Sequence, residues 1–166
     1  MNKNIAISCL VVIMLFATLK GSAQVINTTI PEFALSLFDK TRSQVEQNLK
    51  NMEFKVFSDQ DKADFGYTKD DANNTTVSVG NYMISCKVIW SDGKQNAISV
   101  GGVNYSSYNA MISEYTKTDW EILENGYSYF ICKKIVGNYI YLAQVDFISS
   151  NGRYMANATY KRVLNK

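Results

Sequence analysis

The sequence contains no histidine and a single proline among its 166 residues. Histidine is the commonest general base and the commonest metal ligand in proteins, so its absence removes catalytic triads and zinc sites that depend on imidazole. A cysteine nucleophile would also lack its usual basic partner. These absences argue against an enzyme, and the sequence predicts no cofactor and no bound metal.

A long apolar run occurs at the start of the chain. Residues 5–19 are almost entirely apolar, Lys3 precedes them, and the small residues Gly21, Ser22 and Ala23 follow. This order is typical of a secretory signal, and the run is shorter than the roughly 20 residues that a membrane-spanning helix needs. We expect residues 1–23 to be cleaved. Residues 24–166 then form one domain without a membrane span, secreted or held in the periplasm of a bacterium.

Neither sign of charge is in excess once the signal is removed. The full chain has 17 Lys plus Arg and 15 Asp plus Glu, but Lys3 and Lys20 leave with the signal while no acid does. No basic stripe remains to attract nucleic acid or an anionic membrane, so neither is an expected partner. Cys86 and Cys132 remain after export. They form either one disulfide bond or two buried thiols.

The spacing of apolar residues alternates between helical and extended segments. Helical spacing covers about residues 32–51, as one bent helix or two short ones with Thr41 or Ser43 as a cap, and recurs at about residues 106–118. Alternating strands follow each helical segment, and an acidic loop separates the first helical segment from its clearest strands. Turn signals between the strands are Gly80-Asn81, Asp92-Gly93, Asn125-Gly126, Gly137-Asn138 and Asn151-Gly152.

One phrase, Val-Gly-Asn-Tyr, occurs at residues 79–82 and again at residues 136–139. The strand that follows keeps the same parity in both places, so Val88 corresponds to Val145. Further upstream the correspondence continues with a longer offset, which pairs Phe54 with Trp120. The sequence therefore predicts an α+β fold built as a tandem repeat of a helix plus an antiparallel β-meander, with halves at about 33–104 and 105–166.

Strand alternation predicts which side of the sheet is buried. The apolar side holds Tyr82, Ile84, Cys86, Val88 and Trp90 in the first half, and Tyr139, Tyr141, Ala143, Val145 and Phe147 in the second. We expect the helices to pack on this one face, and both cysteines to point into the core. The other side is mixed in character, as for a sheet open to water. The candidate partner-binding residues on it are Met83, Lys87, Tyr129, Lys133, Gln144 and Asp146.

A helix with the pattern Thr41-x-x-x-Val45-x-x-x-Leu49, followed by an antiparallel meander and present twice in an exported chain, resembles the β-lactamase-inhibitor-protein-like architecture. Small outer-membrane-assembly lipoproteins contain single copies of a similar module. The resemblance covers about residues 33–162. It implies a sheet whose open, concave side holds a protein partner.

Other functions are open to the acidic stretch at residues 59–74. Its acids are Asp59, Asp61, Asp64, Asp70 and Asp71. Paired carboxylates can hydrolyse a glycan, and the spacing of the first three is similar to that of a calcium loop, which makes a sugar- or calcium-binding module a further alternative. Solvated negative charge is the simpler interpretation. We therefore expect a non-catalytic binding protein of the bacterial cell envelope, with a protein or another envelope component as its partner.

Overall fold

The computed structural model describes residues 26, 28–64, 75–79 and 84–165, and these residues form four helices and eight strands. The helices are α1 (Ile30–Leu37), α2 (Arg42–Asn51), α3 (Asp59–Asp64) and α4 (Tyr108–Thr116). The strands are β1 (Lys55–Val56), β2 (Thr75–Val79), β3 (Ser85–Ser91), β4 (Lys94–Tyr105), β5 (Glu121–Asn125), β6 (Tyr129–Val136), β7 (Tyr139–Ser150) and β8 (Arg153–Leu164).

The strands form one antiparallel sheet in the order β1-β2-β3-β4-β8-β7-β6-β5. Strands β1–β4 and β5–β8 each make a meander, and the last strands of the two meanders pair at the centre. The predicted α+β class with an antiparallel sheet is confirmed. The predicted signal at residues 1–23, Met83 and the Gly80-Asn81 turn lie outside the described residues.

The first helical segment consists of two short helices, which was one of the two predicted options. Thr41 caps α2, as the sequence predicted: its hydroxyl accepts from the Gln44 N–H, and the Gln44 side chain accepts from the Thr41 N–H. Thr29 and Glu32 form the same reciprocal arrangement at the start of α1. Each capping box satisfies N–H groups that a helix leaves free in its first turn.

Glu114 connects its own helix, α4, to α1 and to the end of β4. Its Oε1 accepts a hydrogen bond from the Ile30 N–H at 2.6 Å, at the first turn of α1. Its Oε2 accepts from the Tyr105 hydroxyl at 2.5 Å, at the end of β4. Burial, together with the nearby Tyr115 and Glu114, raises the pKa of Tyr105, so this hydroxyl remains a donor. One carboxylate therefore ties α1, α4 and β4 together.

Three predicted two-residue turns are confirmed. Ser91 pairs with Lys94 across Asp92-Gly93, and Ser150 pairs with Arg153 across Asn151-Gly152. Both residues of each of these turns have positive φ, between 50° and 72°, which Gly, Asn and Asp adopt most readily. Gly137-Asn138 connects the directly paired Val136 and Tyr139.

Strands β2 and β3 pair from Val79, opposite Ser85, to Thr75, opposite Ile89. Gly101 and Gly102 lie inside strand β4. Strand β4 runs on to Tyr105, and its register against β8 shifts between Val100 and Val103, as at a β-bulge.

The acidic stretch also differs from the predicted loop, because residues 59–64 form helix α3. Ser58 holds its first turn, since its hydroxyl and N–H both donate to the carboxylate of Asp61. A second register shift occurs at the edge of the sheet, in β5, between Ile122 and Glu124.

Most described residues on the predicted buried side of the strands are buried, but Trp90 and Tyr139 are only partly buried. Cys86, Val88, Ala143 and Val145 are 0% exposed, and Ile84 is 8% exposed. Tyr82 lies outside the described residues. The same core contains helix residues from both halves: Phe33, Val45, Leu49, Met111 and Tyr115. Helix α1 contacts α4 and β4, α2 contacts β1 and β2, and α4 contacts β4 and β5.

The second half carries a buried aromatic cluster. The Tyr115 and Tyr160 hydroxyls are 2.7 Å apart and hydrogen-bond to each other inside the core. Tyr115 packs edge-on against Phe130 and Trp120, with ring centroids 5.1 and 5.9 Å away. Burial raises the pKa of both tyrosines well above its usual value. The two hydroxyls satisfy each other in a region from which water is excluded.

Ser99 of β4 and Thr159 of β8 pair at the centre of the sheet, with their hydroxyl oxygens 3.3 Å apart. The pairs on either side of them are buried: Ile98–Tyr160 and Val100–Ala158. One strand further out, Cys86 pairs with Val100 and Ala143 pairs with Tyr160.

The two cysteines are free, buried thiols, so the disulfide alternative is wrong and the two-thiol alternative holds. Cys132 pairs with Ala143 in the second hairpin. However, Cys86 lies on β3 and Cys132 on β6, with β4, β8 and β7 between them. Four strand spacings amount to about 19 Å along the sheet, whereas a disulfide needs Cα atoms within about 7 Å. The halves meet at β4 and β8 instead.

Candidate functional site

Five of the six predicted contact residues lie on the side of the sheet opposite the core, which we call the open face: Lys87, Tyr129, Lys133, Gln144 and Asp146. The strand pairings place all five at positions that alternate with buried residues. Met83, the sixth, lies outside the described residues. Gln144 and Asp146 are exposed, and the other three are partly exposed.

Four of these residues form one group on β6 and β7. Tyr129 is directly paired with Asp146, and Gln144 is the next residue on the same side of β7. The Gln144 amide donates to the two Asp146 carboxylate oxygens at 3.0 and 3.2 Å. Gln144 pairs with Ile131 of β6, and Lys133 is the next residue on the same side of that strand. The group presents an amide, a carboxylate, an ammonium and a phenol within two adjacent strands.

Edge strand β5 supports this group with two glutamates. The Lys133 ammonium lies 3.1 Å from a carboxylate oxygen of Glu121. The Tyr129 hydroxyl donates to Glu124 in a short hydrogen bond, which raises the pKa of Tyr129. The Tyr129 ring also covers Gly126, because a Cβ at Gly126 would lie 2.7 Å from the Tyr129 Cδ1 atom. Tyr129 is therefore held in one orientation over the β5–β6 turn.

Lys87 stands apart from the other four residues, on β3, but in the same cross-strand row. Lys87 pairs with Ser99, Ser99 with Thr159, and Thr159 with Gln144. Three strand spacings separate Lys87 from Gln144, about 14 Å. Lys87 and Gln144 thus lie in one row that crosses the sheet through its centre.

Two of the acids proposed for glycan hydrolysis, Asp59 and Asp61, form ion pairs with lysines in or near α3. The Asp61 carboxylate accepts from the Lys55 ammonium at 2.5 Å and from Ser58. These hydrogen bonds lower the pKa of Asp61 to about 2, so this carboxyl is not protonated near neutral pH and does not suit a general acid. Asp59 lies 3.3 Å from the Lys62 ammonium. Asp70 and Asp71 lie outside the described residues.

The described ranges contain no group of three acids or cysteines arranged to hold a metal ion. In α3, Lys62 occupies the interior of the acidic sequence and is 5% exposed. The thiols of Cys86 and Cys132 also do not suit nucleophilic chemistry, because burial raises the pKa of each to about 12.

A groove that the sequence did not predict lies at one end of the sheet. Its volume is about 770 Å³. Four cations line it, and we call it the basic groove: Lys40, Arg42, Lys94 and Arg162. The cations come from the α1–α2 connection and from the starts of α2 and β4, with Arg162 near the end of β8. Because these segments are far apart in the chain, no local run of basic residues predicts the groove.

Aromatic and apolar side chains complete the basic groove. Trp90 and Tyr139 line it together with Val163 and Leu164, which are 48% and 64% exposed. The Arg162 guanidinium lies over the Tyr139 ring, 4.3 Å from its centroid, and donates to Asp39 at 2.5 Å. That hydrogen bond raises the pKa of Arg162 further.

A second cleft, of about 760 Å³, is lined by aromatic residues without charged neighbours. Tyr108, Phe147 and Tyr154 pack against one another in it, with centroids 5.6–6.1 Å apart. Tyr127, at its rim, is fully exposed.

No helix within the described residues has the length and apolar character required to cross a membrane. Comparison of the chain with protein-family models, with curated proteins and with solved structures finds no match.

Proposed function

We propose that the protein is an exported, non-catalytic binding protein of the bacterial cell envelope, and that it holds a protein partner on its open face. The observation that carries the proposal is the composition of the row from Lys87 to Gln144, with Tyr129, Lys133 and Asp146 beside it. Amide, carboxylate, ammonium and phenol groups are exposed together on a rigid sheet, backed by a fully buried core.

A protein partner suits this surface because it offers a held aromatic residue surrounded by polar groups. Tyrosine is enriched at the energetic centres of protein interfaces, and polar groups surround such centres. Glu124 and Gly126 fix the orientation of Tyr129, so little side-chain entropy is lost when a partner covers it. The charges of Lys133 and Asp146 would then set the orientation of the partner.

We further propose that the fold is a tandem repeat with its helices on one face of the sheet. The supporting observation is the register. A two-fold operation about the Ser99–Thr159 pair exchanges β4 with β8, and the pairings then match Cys86 with Ala143, 57 residues apart. The same operation matches Val56 of β1 with Ile122 of β5, 66 residues apart.

Those two offsets are the ones that the sequence comparison found independently. At the longer offset, Val45 corresponds to Met111 and Leu49 to Tyr115, and all four are 0% exposed. Residues of both helices therefore enter the core at corresponding places. This arrangement agrees with the β-lactamase-inhibitor-protein-like architecture that the sequence resembles, in which the open side of the sheet binds a protein. The apolar start of the chain supports export.

Affinity capture with residues 24–166 tests the function. The chain is immobilised and exposed to periplasmic and outer-membrane extracts, and retained proteins are identified by mass spectrometry. The test variant is Gln144→Ala/Asp146→Ala, which removes an exposed hydrogen-bonded pair from the open face. The matched control is Gln47→Ala/Asn51→Ala, which removes an exposed pair, 2.7 Å apart, from α2.

A specific partner retained by the wild type and by the α2 control, and lost from the open-face variant, is the expected result. Retention that is equal on both variants would place the interface elsewhere and refute the proposal. Failure of the wild-type chain to retain any protein would refute it as well. Thermal unfolding of both variants provides the check that neither loses its fold.

A further inference from the structure

We propose that the basic groove is a second binding site, which takes a small anionic ligand carrying a carboxylate or phosphate group joined to an apolar portion. The site is independent of the open face, because its lining residues come from the end of the sheet and from the α1–α2 connection.

The charges of the basic groove are unbalanced. Lys40, Arg42, Lys94 and Arg162 face the single acid Asp39 among the lining residues, and Asp39 is already bound to Arg162. Arg42 is paired with Glu46, which is not part of the lining. Within the described ranges, Lys40 and Lys94 have neither an ion-pair nor a hydrogen-bond partner for their ammonium groups. Several like charges along a concave surface concentrate anions there.

Arg162 is already oriented as an anion-binding group. The Tyr139 ring supports one side of its guanidinium, and Asp39 accepts a hydrogen bond from its Nη1 atom. The Phe38 ring lies 5.3 Å from the same group. A guanidinium fixed in this way loses little freedom when its remaining N–H groups bind a carboxylate or phosphate.

The apolar portion of the ligand is inferred from the other lining residues. Val163 and Leu164 are exposed at the rim, next to the Tyr139 ring. Trp90 also lines the groove, and its indole N–H is buried without an acceptor among the described residues. The indole ring therefore contributes apolar surface to the groove, next to Tyr139.

The test uses residues 24–166 and three probes with the same eight-carbon chain, each below its micelle concentration: octanoate, octyl phosphate and neutral octyl glucoside. Binding is measured by calorimetry and by tryptophan fluorescence, because Trp90 lines the groove whereas Trp120 is buried in the core. We expect saturable binding of at least one anion and none of octyl glucoside. Comparing octanoate with octyl phosphate identifies the preferred head group. Equal binding of octyl glucoside, or binding of neither anion, would overturn the proposal.

The variant Lys40→Glu/Lys94→Glu should weaken binding of the preferred anion by roughly tenfold or more, since each reversal replaces an attraction by a repulsion. The control Lys117→Glu/Lys161→Glu makes the same change of net charge at exposed positions outside the groove and should change binding by less than about twofold. If both variants weakened anion binding equally, the effect would come from net charge alone, and the proposed site would be contradicted.

A third variant, Trp90→Phe, tests location without a change of charge. Its fluorescence response to the anion should disappear while calorimetry still detects binding. An unchanged fluorescence response would place the ligand away from the groove. Should the charge-reversal variant fail to fold, the wild-type protein still decides the matter: binding of the anion must weaken between about 0.05 M and 0.5 M salt, because the groove is open to solvent. Binding that is insensitive to salt would contradict it.

Discussion

Replacement of Glu114 is the sharpest test of how the two halves are held together. Its carboxylate accepts from the Ile30 N–H at 2.6 Å and from the Tyr105 hydroxyl at 2.5 Å. Hydrogen bonds to a charged group contribute about 1.5–3 kcal/mol each. Since both bonds are only partly buried, we take about 1–2 kcal/mol for each. Glu114→Ala should therefore lower the free energy of unfolding by about 2–4 kcal/mol, and Glu114→Gln by roughly half as much.

The assay is equilibrium unfolding of residues 24–166 in urea, followed by circular dichroism and by fluorescence. A double-mutant cycle of Glu114→Ala with Tyr105→Phe isolates their hydrogen bond, and we expect a coupling free energy of about 1 kcal/mol. Glu121→Ala, which removes an exposed partner of Lys133, is the control and should cost at most about 1 kcal/mol. A Glu114→Ala variant as stable as this control, or strictly additive effects of Glu114→Ala and Tyr105→Phe, would refute the reasoning.

Three further predictions concern titratable groups. Burial raises the pKa of Tyr115 and Tyr160 above the ordinary value of 10.0, so their hydroxyls lose their protons at a lower pH in the unfolded chain than in the folded protein. The free energy of unfolding should therefore fall as pH rises above about 10. In Tyr115→Phe/Tyr160→Phe this fall should be less steep. Cys86 and Cys132 should resist a thiol reagent in the native protein at pH 8 and react fully in urea, because both are buried with pKa values of about 12; rapid native labelling would contradict their burial. Asp61 contributes stability that is present above its ordinary pKa of 3.8 and is lost as pH falls toward about 2. The melting temperature of Asp61→Asn should therefore depend less on pH across that window than the wild type's does. An equal pH dependence in both proteins would count against the Lys55 and Ser58 hydrogen bonds.

Much of the sheet follows from local patterns. Alternation along β3 and β7 identifies the buried side, because a strand with one face in the core repeats every second residue. Asp92-Gly93 and Asn151-Gly152 identify tight turns, because few other residues adopt positive φ so readily. The strand pairings then fix the neighbours of Cys132 and Tyr129.

The repeated Val-Gly-Asn-Tyr phrase was informative about the strands that follow it. At Gly137-Asn138 it forms the two-residue turn, and Gly80-Asn81 lies outside the described residues. Val88 and Val145, which lie equally far after the two copies of the phrase, are both buried. The helix at Asp59–Asp64 escaped prediction because Ser58 and Lys55 hold its acids in place, which composition does not reveal.

Features that depend on distant segments could not be predicted. A disulfide bond would require Cys86 and Cys132 to lie close together, but β4, β8 and β7 separate their strands. The basic groove has the same origin. Lys40, Trp90, Lys94 and Arg162 are brought together by the sheet order alone, and no spacing in the sequence relates them.

The two edge strands of the sheet, β1 and β5, affect how the protein behaves in concentrated solution. An unpaired outer strand is a template onto which another chain can add, and repeated addition produces fibres. At one end β1 is only two residues long. At the other, the register shift of β5 interrupts the flat hydrogen-bonding edge, next to the negative charges of Glu121 and Glu124. A protein that exposes a broad sheet surface to its surroundings can thus do so without seeding its own aggregation.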